Sequence, residues 1–347
     1  MTVLVTGASG FLGDRLVRRL LADGTSVRAL VRSTAKTESL SAAGAETTVG
    51  DIADERAVGA ALSGVTTVYH LAGRLLLPSV GAAEYRRTHM EGTRVLLQCA
   101  RASSTLQRLV HCSTTGVVGV TGDRPADETA PIAPTNIYEA TKAVAEQAVR
   151  AASRDGFPAV VVRPGLVYGP GDLHLLGFFR AVLQRRFRPI GRRPVWLHPI
   201  YIDDLTDALV RCGRRAEAVG ECFHVAGQQP ITLSGLASAI ACAEGTTLPR
   251  GRIPLPVARA LALFGDQLPP RLQRSAPLTR TRLDFLTHSR VYDVAKAKRL
   301  LDFVATTDLS TGIANTVAWY RKGGLLPERA AAQSSAVVVQ LDHPAPL

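Results

Sequence analysis

The sequence of 347 residues has no apolar run near the roughly 20 residues that a helix needs to span a bilayer. Residues 1–7 have no basic segment ahead of an apolar one, so they do not predict a signal peptide. The five cysteines are odd in number, widely spaced and without a Cys-x-x-Cys pair, which argues against a disulfide framework or a zinc site. We therefore expect a cytoplasmic protein with no transmembrane segment and no bound metal.

Lysine and aromatic residues are scarce. Only five of the 41 basic residues are lysines, so the formal net charge of +12 comes mainly from arginine. With 5% aromatic residues the chain has little to stack on bases, and we find no helix-turn-helix or zinc-finger pattern, so we expect no nucleic-acid partner. We interpret most of the charge as compositional bias. The densest arginine group, at 180–193, could still recognise an acidic or carrier-bound substrate.

Short β-rich runs alternate with helical patterns through the first half of the chain. The strand patterns lie at 3–5, 27–31, 46–49, 65–71, 109–112 and 159–163, and the helical patterns at 11–21, 83–102 and 138–153. This alternation predicts an α/β fold with a doubly wound parallel sheet that helices cover on both faces.

After Arg163 the alternation is less regular and prolines are frequent. Helical patterns recur at 203–212, 233–243, 257–264 and 310–321. We expect residues 1–165 to form the sheet domain and 166–326 to form a smaller, irregular C-terminal substrate lobe interleaved with late elements of the sheet. Residues 327–347 are predicted to form a tail, in which 337–339 could pair as an edge strand.

A glycine-rich segment, Thr6-Gly7-Ala8-Ser9-Gly10-Phe11-Leu12-Gly13, joins the first strand to the first helix. Gly7 would permit the tight turn, Gly10 would let the backbone approach a pyrophosphate, and Gly13 would let helix and strand pack closely. The N–H groups at the start of the helix would then face the anion. This order of strand, glycines and helix predicts a dinucleotide site.

Further motifs follow along the chain: Gly50-Asp51, His70-Leu71-Ala72-Gly73, Tyr138-x-x-x-Lys142, Arg163-Pro164-Gly165, Tyr168-Gly169-Pro170-Gly171-Asp172 and Ile202-Asp203-Asp204. Together with the T-G-x-x-G-x-x-G spacing, they resemble the extended short-chain dehydrogenase/reductase superfamily, also called the NAD-dependent epimerase/dehydratase family. The likeness extends to about residue 325 and implies a Rossmann sheet. Residues 223–227 and 291–297 resemble the branch that contains 3β-hydroxysteroid dehydrogenases and dihydroflavonol-reductase-like proteins.

The resemblance implies a nicotinamide cofactor. Besides the three glycines, it implies these cofactor-binding residues: Ser9, Phe11, Leu12, Asp51, Ile52, Leu71, Ala72, Gly73, Tyr138, Lys142, Pro164 and Val167. Asp51 would lie under the adenine, and its alternative role is to cap the following helix. Arg32 follows the second strand, where NAD enzymes of this fold usually have an acidic residue, and Lys36 is close by in sequence. We therefore favour NADP over NAD, because a guanidinium can bind the 2′-phosphate that a carboxylate would repel.

Tyr138 and Lys142 are four residues apart and would share one face of a helix. A phenol with a pKa of about 10 is a poor acid or base at neutral pH until a nearby ammonium stabilises its phenolate. The family pattern makes Thr114 the hydroxyl that orients the substrate, with Ser113 as the alternative. The expected reaction is reversible hydride transfer between C4 of the nicotinamide and a carbinol carbon, while Tyr138 takes or gives the hydroxyl proton.

Several departures from the family pattern reduce the set of reactions expected of this chain. Thr115 and Gly116 stand where 4,6-dehydratases have Asp-Glu, so dehydration is disfavoured. Leu197 stands where many sugar-nucleotide enzymes have a diphosphate-binding arginine. His89 stands where the family usually has an asparagine, so the hydrogen bond that this asparagine makes is not predicted here. The apolar stretch 253–268 could form a lid over an apolar substrate. Further candidate substrate contacts are Ser113, Thr115, His174 and Tyr201.

Three hypotheses for the activity stay open. The first is an NADP-dependent alcohol dehydrogenase or ketoreductase that acts on a secondary alcohol or ketone as its small-molecule substrate. The second is a nucleotide-sugar 4-epimerase that uses the same residues, and the third is a non-enzymatic dinucleotide sensor. The sensor is disfavoured, because a sensor would need the glycine turn but not Tyr138 and Lys142. Family resemblance also implies a homodimer through the helices predicted at 83–102 and 138–153.

Overall fold

The computed structural model describes residues 1–34, 37–77, 80–269 and 278–327. In chain order its strands are β1 (Thr2–Thr6), β2 (Ser26–Val31), β3 (Glu46–Val49), β4 (Val65–His70), β5 (Arg108–Cys112), β6 (Ala159–Pro164), β7 (Leu166–Tyr168), β8 (Trp196–Leu197), β9 (Pro199–Tyr201), β10 (Cys222–Val225) and β11 (Ile231–Thr232).

The α-helices in the same ranges are α1 (Phe11–Ala22), α2 (Thr37–Ala42), α3 (Glu55–Leu62), α4 (Ala82–Tyr85), α5 (Gly92–Arg101), α6 (Ile137–Arg154), α7 (Leu176–Leu183), α8 (Ile202–Arg214), α9 (Leu233–Ala243), α10 (Leu255–Gln267), α11 (Arg280–Thr287), α12 (Ala295–Leu301) and α13 (Leu309–Lys322). A π-helical segment, Arg86–Glu91, connects α4 to α5. Short 3₁₀ segments, Thr115–Val118 and Ala216–Ala218, follow β5 and α8.

Seven parallel strands form the central sheet, in the order β10-β6-β5-β4-β1-β2-β3. The predicted doubly wound parallel sheet is confirmed. The strand order reverses between β1 and β4, and in sheets of this kind the crevice at that reversal is where ligands bind. The carboxyl ends of β1, β4, β5 and β6 therefore define the edge at which a site is expected.

Two hydrophobic clusters cover the two faces of the sheet. One includes Val5 and Val110 of the sheet with residues of α1 and α8, and the other includes Leu4 and Leu109 with residues of α3 and α5. Consecutive residues of one strand thus face opposite clusters, as the period of two in a strand requires. Because both faces are buried, β1 and β6 have central runs of consecutive apolar residues, and this is why their positions were predictable.

A smaller, irregular part of the structure adjoins the sheet, as predicted. Strand β7 pairs with β9 in parallel, β8 pairs with β11 antiparallel, and α7, α9 and α13 share a separate hydrophobic cluster. Strand β10, which comes from this half of the sequence, returns to the edge of the main sheet beside β6. The strand proposed at 337–339 lies outside the described residues.

Among the described helices, none combines the length and apolar character that crossing a membrane requires. The described residues also contain no group of three or more His, Cys, Asp or Glu side chains that could hold a metal ion.

Candidate active site

The turn between β1 and α1 excludes side chains at two positions. Gly7 has a left-handed backbone with φ +69°, and a Cβ there would lie 2.8 Å from backbone atoms of Leu71 and Ala72. A Cβ on Gly13 would lie 2.1 Å from the carbonyl oxygen of Gly7, so a larger residue would push α1 away from the turn. Gly10 is the N-cap of α1 and supplies no side-chain cap, so the first N–H groups of the helix are left for an anion. This turn fits the pyrophosphate of a dinucleotide.

The carboxyl end of β4 holds the glycine turn from the other side of the crevice. The Leu71 N–H donates to the carbonyl of Thr6, and the Ala72 N–H donates to the Thr6 hydroxyl, both at 3.2 Å. His70 Nδ1 lies 2.8 Å from the same hydroxyl. Leu71, Ala72 and the following Gly73 thus border the crevice at the β1–β4 reversal, where the resemblance implies that a cofactor binds.

Several of the residues implied in cofactor binding direct their side chains into the core: Phe11, Leu12, Ile52 and Val167. A cofactor could therefore contact these positions mainly through their backbone atoms. Ser9, in the turn itself, is half-buried.

Two arginines at the outer end of the crevice share one carboxylate. Arg32 directly follows β2 and its side chain is 50% exposed, with Nη1 3.9 Å from Oε1 of Glu84 in α4. Arg74, in the loop after β4, forms a salt bridge to the same oxygen. Sequence reasoning missed Arg74 and Glu84, because no local pattern brings them to Arg32. Lys36 lies outside the described residues.

Asp51 lies just beyond the end of β3. Its Oδ1 accepts the N–H of Ala53 at 2.9 Å and lies 3.4 Å from the Arg87 guanidinium. The cap of α3 is instead Asp54, whose side chain accepts the N–H of Arg56 at 3.0 Å. The alternative role of Asp51 as a helix cap is therefore wrong.

Thr114, Tyr138 and Lys142 lie close together beyond the carboxyl end of β5. Tyr138 and Lys142 are one turn apart in α6, and the buried Lys142 ammonium donates to the carbonyl of Cys112 at 2.5 Å. Thr114 caps the 3₁₀ segment after β5 by accepting the N–H of Gly116 at 3.1 Å, and its side chain also hydrogen-bonds Tyr138. The structure thus brings the three predicted catalytic residues to one site.

The surroundings set the protonation of this site. Burial raises the pKa of Tyr138 above its ordinary value, and the hydrogen bond with Thr114 acts in the opposite direction. Burial also shifts the pKa of Lys142, in this case below its ordinary value. The phenol is therefore protonated at neutral pH in this state, as an acid that protonates a ketone oxygen must be. Tuning of the phenol by Lys142 stays a prediction.

His89 hydrogen-bonds on both sides of its ring, although it replaces the asparagine of the family pattern. Its Nε2 accepts the N–H of Arg74 at 3.0 Å, and its Nδ1 lies 2.8 Å from the hydroxyl of Thr141. The ring also packs edge-on against Tyr138, with centroids 5.6 Å apart. Burial lowers the pKa of His89 to about 3, so the ring is neutral and suited to accept at one nitrogen and donate at the other. His89 thus connects the loop after β4 to the catalytic helix.

Ser113 belongs to a buried ionic network behind the site. Its hydroxyl donates to Glu146 Oε2 at 2.7 Å, and Glu146 is paired with Arg163, whose Nη2 donates to Oε1 at 2.5 Å. The side chains of Glu146 and Arg163 are both 0% exposed. His224 Nε2 lies 3.3 Å from Nη1 of Arg163. The Ser113 hydroxyl is therefore occupied inside the protein, and Thr114 is the hydroxyl left beside Tyr138.

The remaining candidate substrate contacts are dispersed. The buried Thr115 hydroxyl donates to the carbonyl of Pro164 at 3.0 Å, and the buried Tyr201 hydroxyl accepts from Asn315 at 3.3 Å. His174 is exposed on the loop before α7. Among the described hydrogen bonds and ring contacts, none joins these three side chains to Tyr138.

Comparison with known proteins identifies the family. The model of the NAD dependent epimerase/dehydratase family matches residues 3–226, which is more than half of the chain. The chain belongs to this family. The resemblance that the sequence motifs indicated is therefore confirmed, and the chain is an enzyme of a family that contains oxidoreductases and epimerases.

Three curated relatives are similar over most of their length. A 4-hydroxy-2-methyl-3-oxo-4-farnesyl-3,4-dihydroquinoline-1-oxide ketoreductase of Stigmatella aurantiaca is 31% identical, over 90% of this chain and 95% of the relative. Sterol demethylase protein B of Methylococcus capsulatus is 30% identical, over 94% of this chain and 100% of the relative. A 3 beta-hydroxysteroid dehydrogenase/Delta 5-->4-isomerase of Mycobacterium tuberculosis is 30% identical, over 87% of this chain and 85% of the relative.

Solved structures share the fold. The UDP-glucuronic acid 4-epimerase of Bacillus cereus, in complex with UDP-glucuronic acid and NAD, superposes with a TM-score of 0.75. The two chains are 21% identical, and the match covers 93% of this chain and 99% of the epimerase. At this identity the comparison supports the shared fold and no more specific likeness.

Proposed function

We propose that this enzyme is an NADP-dependent dehydrogenase or reductase that interconverts a secondary alcohol and a ketone of apolar character. The observation that carries the proposal is the hydrogen bond between the side chains of Thr114 and Tyr138, at the sheet edge that also holds the glycine turn. Relatives named as a ketoreductase and a steroid dehydrogenase support this reaction class.

The chain's own residues divide the work of ketone reduction. A bound nicotinamide cofactor supplies the hydride, and the glycine turn with Leu71 and Ala72 would hold it. Thr114 positions the substrate oxygen by a hydrogen bond, and Tyr138 donates its phenolic proton to that oxygen. In the reverse direction the phenolate takes the proton back from the alcohol. Lys142 would favour the phenolate form and so assist this direction.

The preference for NADP rests on the end of β2. Arg32 is half-exposed there and can form two parallel hydrogen bonds to a 2′-phosphate. Glu84 is close to both Arg32 and Arg74, so its negative charge repels the phosphate but offsets only part of the attraction of the two guanidiniums. The two positive charges against one negative charge favour the phosphorylated cofactor.

The 4-epimerase alternative has weaker support in the substrate lobe. Leu197, which stands where many sugar-nucleotide enzymes have an arginine, is 2% exposed and packs in a hydrophobic cluster. That position therefore offers no charge to a diphosphate. The two reactions also differ in outcome, because an epimerase turns over without net consumption of reduced cofactor.

The test is turnover of the purified chain with NADPH and a ketone probe, for which a 3-ketosteroid is suitable. We expect net NADPH oxidation, and Tyr138→Phe should lower turnover by about 10²–10⁴-fold while NADPH binding is kept. Tyr69→Phe is the matched control, because this substitution removes the same hydroxyl from a tyrosine that is buried on the face of the sheet opposite α6. Near-normal turnover by Tyr138→Phe would refute the mechanism, and epimerised UDP-sugar without net NADPH loss would favour the alternative.

A further inference from the structure

Helix α10 turns three of its small residues inward and four of its large apolar residues toward solvent. The buried residues of the helix are Ala258, Ala262 and Gly265. Leu255 is partly buried, and the other four large apolar residues are 45–65% exposed: Val257, Leu261, Leu263 and Phe264. We refer to these four side chains as the α10 apolar face. A helix on the surface of a globular protein normally turns its larger apolar residues inward, so this orientation is the reverse of the usual one.

Packing fixes that orientation. Ala258 and Ala262 share a hydrophobic cluster with Ile190 and Leu278, which lie on neighbouring segments. Rotating the helix to bury Leu261 and Phe264 would remove the two alanines from this cluster. An apolar surface that the fold holds toward solvent is the usual mark of an interaction site.

A strongly basic surface adjoins the start of α10. Neither 173–202 nor 245–265 contains an aspartate or glutamate. The two segments are joined by a bridge between Ile190 and Ile253 and by the hydrogen bond from Arg185 to the Thr247 hydroxyl, at 2.8 Å. Six of their exposed arginines form what we call the arginine patch: Arg186, Arg188, Arg192, Arg193, Arg250 and Arg252. Among the described ion pairs, none involves a residue of this patch.

We propose that the α10 apolar face and the arginine patch dock this enzyme on the surface of an anionic phospholipid bilayer. Guanidiniums would bind the lipid phosphates while Leu261 and Phe264 enter the boundary between headgroups and acyl chains, which is how basic amphipathic surfaces bind membranes. A second copy of the chain fits less well, because a twofold contact would set one arginine patch against another. A nucleic acid would satisfy the arginines but leave the apolar face in water.

The docking surface lies next to the catalytic helix. A cleft of about 410 Å³ is lined by Leu255 and Arg259 of α10 and by Thr135 and Asn136, which directly precede α6. Tyr138 lies two residues beyond Asn136. If the proposed function is right, an apolar substrate dissolved in the bilayer would meet the enzyme on this side. The docking itself does not depend on the reaction.

The experiment is co-sedimentation of the full chain with vesicles of phosphatidylcholine alone and of phosphatidylcholine mixed with phosphatidylglycerol. We expect binding only to the mixed vesicles. Leu261→Ser with Phe264→Ser should weaken that binding by at least about tenfold, because the burial of apolar area is lost. The matched control is Val219→Ser with Val304→Ser, two valines with comparable exposure elsewhere on the surface.

The charged half of the surface is tested separately. Arg192→Glu with Arg193→Glu should weaken binding to the mixed vesicles by at least about tenfold and reduce its dependence on salt. Arg56→Glu with Arg124→Glu reverses two other exposed arginines and should leave binding nearly unchanged. An unchanged midpoint of denaturant unfolding in every variant would show that the fold is intact, so a failure of the proposed reaction or cofactor would not affect this result.

Four results would overturn the docking proposal. The first is no binding of the full chain to mixed vesicles, and the second is equal loss of binding in the control variants. The third is a change of oligomeric state by Leu261→Ser with Phe264→Ser while vesicle binding stays at the original level, which would make the α10 apolar face a contact between copies. The fourth is that the arginine-patch variants still bind the vesicles but no longer bind a nucleic acid, which would count against a lipid partner.

Discussion

At the scale of single residues, the charge of Glu84 decides how favourably the outer end of the crevice receives a phosphate. Its carboxylate forms a salt bridge with Arg74 and lies 3.9 Å from Arg32. A 2′-phosphate beside Arg32 would be attracted by the two guanidiniums and repelled by this carboxylate. NAD lacks the phosphate, so changes at these positions should separate the two cofactors.

We predict opposite effects for two substitutions at this end of the crevice. Arg32→Asp should weaken NADPH binding by about tenfold or more and change NADH binding much less, since it replaces an attraction with a repulsion. Glu84→Gln should tighten NADPH binding several-fold. Glu46→Gln is the control, because Glu46 is also an exposed carboxylate that pairs with an arginine, Arg28. Fluorescence titration with each cofactor measures the effect, and an unaltered preference in Arg32→Asp would refute the role of Arg32.

At the residue level, the sequence was enough to name candidate residues but not the partners that the fold gives them. Arg32 could be singled out because the end of the second strand has a known place in this fold. Glu84 and Arg74 could not, because they meet only when the loop after β4 and α4 fold beside β2. The partner of Ser113 was hidden in the same way, since Glu146 is 33 residues further along the chain. Sequence spacing predicts contacts within an element, whereas these contacts join different elements.

At the scale of elements, one buried ion pair connects the catalytic helix to the sheet. Glu146 lies one turn beyond Lys142 in α6, and Arg163 belongs to β6. Ser113, immediately before Thr114, donates to the same carboxylate. Burial alone would lower the pKa of Arg163, but hydrogen bonds and charge from Glu146 raise it above its ordinary value. The pair therefore fixes α6 and the Thr114 turn relative to each other.

We predict that Glu146 is a positioning residue. Glu146→Gln should lower the free energy of unfolding by about 3–5 kcal/mol, because Arg163 is left buried without its partner. It should also lower kcat more than it changes the affinity for NADPH, since the Thr114 turn loses its anchor but the glycine turn does not. Replacing both residues, Glu146→Leu with Arg163→Met, should recover much of the stability without recovering kcat. A purely structural role would instead restore kcat together with stability.

The elements themselves were largely predictable, and the exceptions have a physical cause. The helical pattern at 83–102 predicts one helix, but the structure has α4, the π-helical segment and α5 in succession. A π-helical turn inside a helix leaves the chain helical on both sides, so the sequence shows one long helical stretch, and such turns are common at functional sites. His89 lies in that segment. Late elements of the sheet were expected within 166–326, but the position of β10 was not predicted, because a long stretch of the substrate lobe separates it from β6.

At the scale of the whole molecule, buried neutral histidines couple the fold to pH. Of the seven histidines within the described ranges, five are buried: His70, His89, His111, His198 and His224. Burial lowers the pKa of His70, His89 and His224 to about 3 in the folded protein. In the unfolded chain each would titrate near a pKa of about 6.5. Between these values the unfolded state binds more protons than the folded state, so acid favours unfolding.

We therefore predict that the free energy of unfolding falls as the pH is lowered from about 6.5 toward 4.5, by about 1.4 kcal/mol per pH unit for each histidine that stays neutral. Denaturant titrations at several pH values measure this slope. His89→Asn keeps a hydrogen-bonding side chain and should reduce the slope by about one proton. His174→Gln removes an exposed histidine and should leave it unchanged. Stability that is flat over this range, or equal slopes in both variants, would mean that these rings are protonated in the folded protein.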